Sequence, residues 1–269
     1  MEAFIKIKDD EIHYTYEPNP NNLPIVLFVH GYNDSSKTIT PLTVIKNRNY
    51  VVYAIDLPGC GLSSALHKPI TLEYYCLVLE EFIKQVFGDK HINLLSHSMG
   101  SIPCLYAYKT DQIDNFIMLT PLNYSLVHDA NDLNKNIRQW LLPKSYEEAY
   151  DGVIHLVYEP NEAFKAHATF LANKLFVRKD IIKENFNYLV NNEILNNTFL
   201  DKHIKPLFIE SKPFTLVYAQ NDNYVTTKQI NHIKPDLPQV NFVELERCGH
   251  AAIFQKSHEI NNLINKLIK

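Results

Sequence analysis

Apolar positions in this chain follow two rhythms. Near the N-terminus, the period-2 alternation of FIKIK predicts a strand at 4–7, paired in a hairpin with 12–16 through 8–11. Two uninterrupted apolar runs follow, IVLFVH at 25–30 and YVVYAID at 50–56, of the kind buried on both faces of a parallel sheet. Between them, 36–47 predicts a short helix whose regular part Pro41 confines. In TLEYYCLVLEEFIKQVF, 71–87, apolar residues recur at helical spacing and Thr71 can cap the first turn. INLLS at 92–96 predicts the next strand, 98–108 the next helix, and FIML at 116–119 the strand after it.

That alternation predicts an α/β fold with a mostly parallel sheet and right-handed crossovers. It breaks at 122–204, where KNIRQWLL, YEEAYDGVIHLVY, EAFKAHATFLANKLF and KDIIKENFNYLV all suit helices. It resumes with a strand at 214–220, a short helix at 226–232, a strand at 240–246 and a closing amphipathic helix at 257–268. The expected organisation is one α/β core, 1–121 and 205–269, carrying a helical cap at 122–204.

Composition narrows the partners. A chain of 269 residues, 46% hydrophobic, can build one large core. Its net charge of −4, with both signs mixed along the chain, gives no field to recruit nucleic acid or anionic lipid. A small, neutral or weakly charged molecule is the expected partner; the sequence carries no signal for an oligomeric state. Apolar runs such as Ile25–Val29 fall far below the ~20 residues needed to cross a bilayer, so no stable membrane insertion is expected. The acidic start MEAFIKIKDDEIHY does not read as a secretory signal, and Cys60, Cys76, Cys104 and Cys248 form no CxxC pair; free thiols in a reducing cytoplasm are expected. The histidines show no HExxH or comparable spacing, so neither metal nor cofactor is expected.

LLSHSMGS at 94–101 carries the chemistry. A serine at a tight strand-to-helix turn has its hydroxyl lifted clear of the sheet, with the following backbone N–H groups aimed at a forming oxyanion. Small residues are needed two before and two after it, because strand and helix backbones nearly touch there. Ser96 and Gly100 occupy those places around Ser98. Here the sequence resembles the α/β-hydrolase superfamily, whose nucleophile elbow usually reads G-x-S-x-G; this chain reads S-H-S-M-G and departs at Ser96. FVHGYND at 28–34 resembles the family's oxyanion loop, which implies backbone N–H donors from Tyr32 and Met99. DLPGCGLSS at 56–64 resembles the family's D-x-x-G-x-G-x-S loop at Asp56, Gly59, Gly61 and Ser63, and reads as a structural turn.

A serine hydroxyl needs a base to take its proton during attack. His250 in CGHAAIF follows the last predicted strand and precedes the closing helix, where the family carries its catalytic histidine. His97 is the rival by adjacency, although neighbouring side chains on a sharp turn diverge. The family order of serine, acid, histidine places the acid at the end of a late strand. Asp222 fits, with a turn-forming Asn-Asp pair as its bland alternative; Asp201, Glu210 and Asp236 follow no strand in register. Cys248 reads as a packed thiol, while Trp140, Tyr146, Tyr150, Phe164, Phe170 and Phe176 either line an acyl pocket or hold the cap together.

The resemblance implies a carboxylic ester hydrolase for an apolar acyl group, similar to esterases and the monoacylglycerol lipase and lysophospholipase group. Met99 stands where proline iminopeptidases and cofactor-free haloperoxidases usually have tryptophan, and Ser98 where haloalkane dehalogenases need aspartate. Thioesterases and carbon–carbon bond hydrolases share the same three residues and stay open. So do a noncatalytic binding protein on the same fold and a lipase that docks on lipid through its cap.

Overall fold

The period-2 and continuous apolar runs become eight strands in a single sheet, in a computed structural model that describes residues 1–125 and 131–268, and of 131–135 the backbone alone. In chain order they are β1 (Glu2–Ile7), β2 (Asp10–Tyr16), β3 (Ile25–Val29), β4 (Val51–Ile55), β5 (Ile92–His97), β6 (Ile113–Leu119), β7 (Thr215–Ala219) and β8 (Asn241–Leu245). Their order across the sheet is β1-β2-β4-β3-β5-β6-β7-β8. The opening hairpin is antiparallel, with Glu2 opposite Thr15 and Ile7 opposite Asp10, and β2 joins β4 antiparallel. Every other neighbouring pair is parallel. All six residues of β5 are buried, the polar Asn93, Ser96 and His97 among them, as in a central strand covered on both faces.

Strand order places the site. The chain leaves β3 toward β4 on one side, then crosses back to lay β5 on the other. The carboxyl ends of β3 and β5 therefore flank the point where the winding reverses, the crevice in which open α/β sheets bind ligands. His30-Gly31 follows β3, and Ser98 follows β5.

Two apolar layers cover the sheet. The helix expected at 36–47 is shorter in the structure: a 3-10 turn at Ser36–Ile39 runs into α1 (Thr40–Thr43), with Pro41 in its first turn, where a missing N–H costs nothing. α2 (Leu72–Phe87) is capped by Thr71, which accepts from the Tyr74 N–H at 3.0 Å, and packs Tyr75, Val78, Leu79 and Phe82 onto the sheet. α3 (Ser101–Ala107) begins only after a 3-10 turn at Ser98–Gly100. Each Leu, Ile or Phe fully buried in these layers contributes about 1.5–3 kcal/mol relative to exposure.

Between β6 and β7 the described residues form α4 (Asn131–Leu141), α5 (Tyr146–Ile154), α6 (Glu162–Val177), α7 (Lys179–Tyr188), α8 (Asn197–Phe199) and α9 (Lys205–Ile209), with π-type turns at Leu189–Ile194 and Leu200–Ile204. Helix continues to Ile209, beyond the expected boundary at 204, and residues 126–130 of the expected cap lie outside the described residues. Ile137, Trp140, Ile182, Phe186, Leu189 and Ile194 belong to the same apolar cluster as Tyr75, Val78 and Met99. These helices thus extend the main core. On the other face, α12 (Ser257–Leu267) packs Ile260 and Ile264 against Phe28, Leu95 and Val217, after α10 (Thr227–Ile233) and α11 (Ala252–Gln255). No helix among the described residues is long and apolar enough to cross a membrane.

Candidate active site

A strand that runs straight into a helix must turn within one residue, and Ser98 takes that turn with φ of +52°. The left-handed region costs a non-glycine residue about 1–3 kcal/mol, a strain that persists only where the surroundings enforce it. Enforcement comes from contact: a Cβ at Gly100 would fall 2.3 Å from the His30 carbonyl oxygen and 2.6 Å from that of Val29. The end of β3 and the start of the helix touch there. On the other side, Ser96 is fully buried and its hydroxyl shares a hydrogen bond of 2.9 Å with that of Ser101. A serine in place of the family's first glycine is therefore accommodated with its polar atom satisfied.

Asp222 leaves the end of β7 in a turn that commits its carboxylate. One oxygen, Oδ1, accepts the backbone N–H groups of Tyr224 at 2.7 Å and Val225 at 2.9 Å. The other, Oδ2, lies 2.8 Å from His250 Nδ1, and His250 Nε2 lies 2.9 Å from Ser98 Oγ. A carboxylate only accepts, so Nδ1 carries the proton and donates it, leaving the Nε2 lone pair for the serine hydroxyl. His250 and Asp222 are buried and Ser98 half-buried. The three groups form one directed relay, from hydroxyl to imidazole to carboxylate.

His97 has a different task. Its Nε2–H donates to the His250 carbonyl oxygen at 2.9 Å, a carbonyl that also accepts from the Thr120 hydroxyl at 3.2 Å. Burial, with the charge of His250 as a second cause, pushes the His97 imidazole down to about 4, so it stays neutral. Gly249 permits the other support. A Cβ there would meet the backbone of residues 156–158 at 2.8 Å, and that segment accepts the Ala251 N–H on the Leu156 oxygen at 2.7 Å. Cys248 is buried with its thiol pushed up to about 12 by burial, which leaves it unreactive.

Tyr32 and Met99 line one cavity with Ser98 and His250. Its remaining walls are Leu122, Ile137, Leu141, Ile194, Tyr224 and Val225, and its volume is about 30 Å³. A larger hollow of about 510 Å³ lies behind Asp222, between residues 154–160 and 220–223, and reaches neither Ser98 nor His250. The Tyr32 hydroxyl donates to the Leu141 carbonyl at the end of α4, tying the loop after β3 to the helices above it. His30 braces the same loop: its Nε2 accepts the Leu57 N–H at 3.0 Å, which leaves Nδ1–H to donate to the Gly31 oxygen at 2.7 Å.

The remaining sequence candidates lie elsewhere. Asp56 is held in its own loop, accepting the N–H groups of Ser36 and Leu62 and pairing with His13 at 2.7 Å; those backbone donors keep its carboxyl low against the opposing effect of burial. Asp236 pairs with Lys205 and accepts from the Tyr124 hydroxyl. Neither Asp201 nor Glu210 takes the place of Asp222 beside His250. None of Trp140, Tyr146, Tyr150, Phe164, Phe170 and Phe176 is among the described residues lining the cavity. Trp140 stacks on His155, Tyr146 on Tyr150, and Phe164 meets Phe254. Sequence reasoning passed over Tyr224, whose ring lies on His250 at 4.8 Å; its position two residues beyond the acid, where an Asx-type turn folds back, was the available signal.

Residues 24–257 match the family model described as alpha/beta hydrolase fold. Among curated proteins, a proline iminopeptidase of Saccharolobus solfataricus is 23% identical over 286 residues, covering 99% of this chain and 92% of its own. Among solved structures, a membrane phospholipase A described as a bacterial virulence factor superposes with a TM-score of 0.79 at 17% identity, over 99% of this chain and 85% of that one. The enol-lactonase of Burkholderia xenovorans gives 0.74 at 14% identity, over 98% and 99%.

Proposed function

The chain belongs to the α/β-hydrolase family, and from that premise we propose that it is a serine hydrolase of carboxylic esters with an apolar acyl group. One observation carries this reading: the continuous relay Ser98–His250–Asp222, closed by hydrogen bonds of 2.9 and 2.8 Å, opens on a cavity with mostly aliphatic walls.

The steps follow from the geometry. Ser98 Oγ attacks the ester carbonyl while His250 Nε2 takes its proton. Asp222 holds the imidazole in the required tautomer and stabilises the imidazolium without itself accepting the proton. The backbone N–H groups of Tyr32 and Met99 hold the oxyanion, preorganised where charge develops. His250 then protonates the departing alcohol, and a water activated by the same imidazole releases the acyl group from Ser98.

The likeness to a proline iminopeptidase favours a second reading, in which the same relay cuts a peptide bond after an N-terminal proline. Such a substrate carries an ammonium beside the scissile bond, and burying it calls for a carboxylate partner. None of the described residues lining the cavity carries one, which favours the ester. A phospholipase and a lactonase among the similar folds act on ester bonds by their names, and so agree with it.

Steady-state hydrolysis of p-nitrophenyl butyrate against prolyl p-nitroanilide tests the choice. Turnover of the ester, abolished in a folded Ser98→Ala variant and exceeding that of the anilide, is expected. Anilide turnover alone would establish the second reading, and a folded parent inert toward both would leave a binding protein.

A further inference from the structure

Two hydrogen bonds hold the His250 ring, one at each nitrogen, and ring nitrogens bond along directions in the ring plane, so neither bond covers a ring face. They set its distance from Ser98 and Asp222 but leave it able to roll about the line between them. Rolling is restrained by what covers the ring faces. Two aromatic rings touch it: His97, with centroids 4.9 Å apart and planes tilted by 50°, and Tyr224, at 4.8 Å and only 24° from parallel.

We infer that Tyr224 is a positioning residue through which the helices α4 and α5 hold His250 in line for attack by Ser98. The inference rests on the serine-hydrolase reading and adds a fourth side chain to its machinery. Tyr224 is fixed from three directions. Its backbone N–H donates to Asp222 Oδ1 at 2.7 Å, so the residue that covers the imidazole also orients the carboxylate behind it. Its hydroxyl donates to the Gly152 carbonyl oxygen of α5 at 2.8 Å. Its ring meets Trp140 of α4 at 4.8 Å, and Trp140 is itself held by stacking on His155 and by an Nε1–H bond to Asp151 at 2.6 Å. The two helices close tightly on this point: a Cβ at Gly152 would fall 3.0 Å from the Cβ of Trp140. Tyr224 therefore cannot rotate away from His250 without breaking contacts with both.

The stack is worth more during reaction than before it. As Ser98 gives up its proton, the imidazole becomes an imidazolium, and the negative face of a tyrosine ring attracts a cation more strongly than a neutral ring. An interaction that strengthens in the transition state raises the rate of the chemical step, whereas a mere pocket wall changes how tightly substrate binds. The same contact transmits the placement of α4 and α5 to the base: displacement of the helices that carry Gly152 and Trp140 would release Tyr224 and loosen His250.

The experiment measures phosphonylation of Ser98 by a fluorophosphonate, resolved into affinity and inactivation rate constant, together with kcat and KM on p-nitrophenyl butyrate, for the full chain and two variants. Tyr224→Phe keeps the ring and loses the tether to Gly152; its inactivation rate constant and kcat are expected to fall ~3–10-fold. Tyr224→Leu also loses the aromatic face; its rate constants are expected to fall ~10–100-fold, with affinity and KM within about threefold of the parent. Equal rates for the two variants, or losses confined to affinity and KM, would overturn the inference and make Tyr224 a wall. Where Tyr224→Leu does not fold, Tyr224→Phe decides alone, because an unchanged rate constant there contradicts the coupling to α5. A parent that reacts while both variants match it removes only this inference; a folded parent whose Ser98 does not react removes the serine-hydrolase reading.

Discussion

At the scale of the residue, the site is a set of polar side chains committed to named partners. Asp222 spends one oxygen on its own turn and the other on His250, so Asp222→Asn leaves the turn acceptor in place but presents the wrong group to Nδ1. Its kcat is expected to fall by ~10⁴, as in serine proteases with the same exchange, while the melting temperature changes little. Gly100 allows no such tolerance. Gly100→Ala drives a methyl into the carbonyls of Val29 and His30, and loss of the folded state, seen as loss of soluble protein or of a cooperative transition, is the expected outcome. His97 gives a pH prediction. Its folded value of about 4 lies below the unfolded value near 6.5, so the unfolded chain binds the extra proton first and stability is lost as pH falls from 6.5 to 4. Urea midpoints for the parent should fall over that window, and those of His97→Asn should fall less; parallel slopes would contradict the assignment.

Elements show which features the sequence carried in readable form. Continuous apolar runs predicted β3 and β4, and β5 and the capped pattern of α2 fell where expected, because periodicity and burial are local properties. The turn that carries Ser98 was legible from its small neighbours, whereas Asp222 and His250 were singled out by the order of the resembled family together with their places after late strands. The contacts above them were not legible. Leu141 meets Tyr32, and Gly152 meets Tyr224, across 109 and 72 residues respectively, and no local pattern encodes such pairings. Glu193 is another example. It sits in the π-type turn after α7, buried, and accepts the Leu72 N–H at the start of α2 at 2.7 Å. Burial raises its carboxyl to about 7, with Glu73 adding to the effect and the Leu72 bond opposing it. An acid raised above its unfolded value costs stability as pH climbs from about 4.5 to 7, where the unfolded chain has already released the proton. Glu193→Gln keeps an acceptor for Leu72 and removes that charge, so a higher melting temperature than the parent at pH 8 and an equal one at pH 4.5 are expected.

The whole molecule joins a sheet whose β5 ends at Ser98 to a helical layer whose Ile137 and Leu141 wall the cavity beside it. A cavity of about 30 Å³ holds only a water or two, less than any but a small acyl group fills. Short p-nitrophenyl esters, from acetate to butyrate, should therefore show a higher kcat/KM than the laurate. Ile137→Ala should shift the preference toward longer chains by removing an α4 side chain from the wall. The most direct test of the central claim is the intact mass of the chain after reaction with a fluorophosphonate, followed by peptide mapping. The account predicts one adduct per chain, located on Ser98 and absent from folded Ser98→Ala. A folded parent that gains no mass, or carries its adduct on another residue, would contradict it.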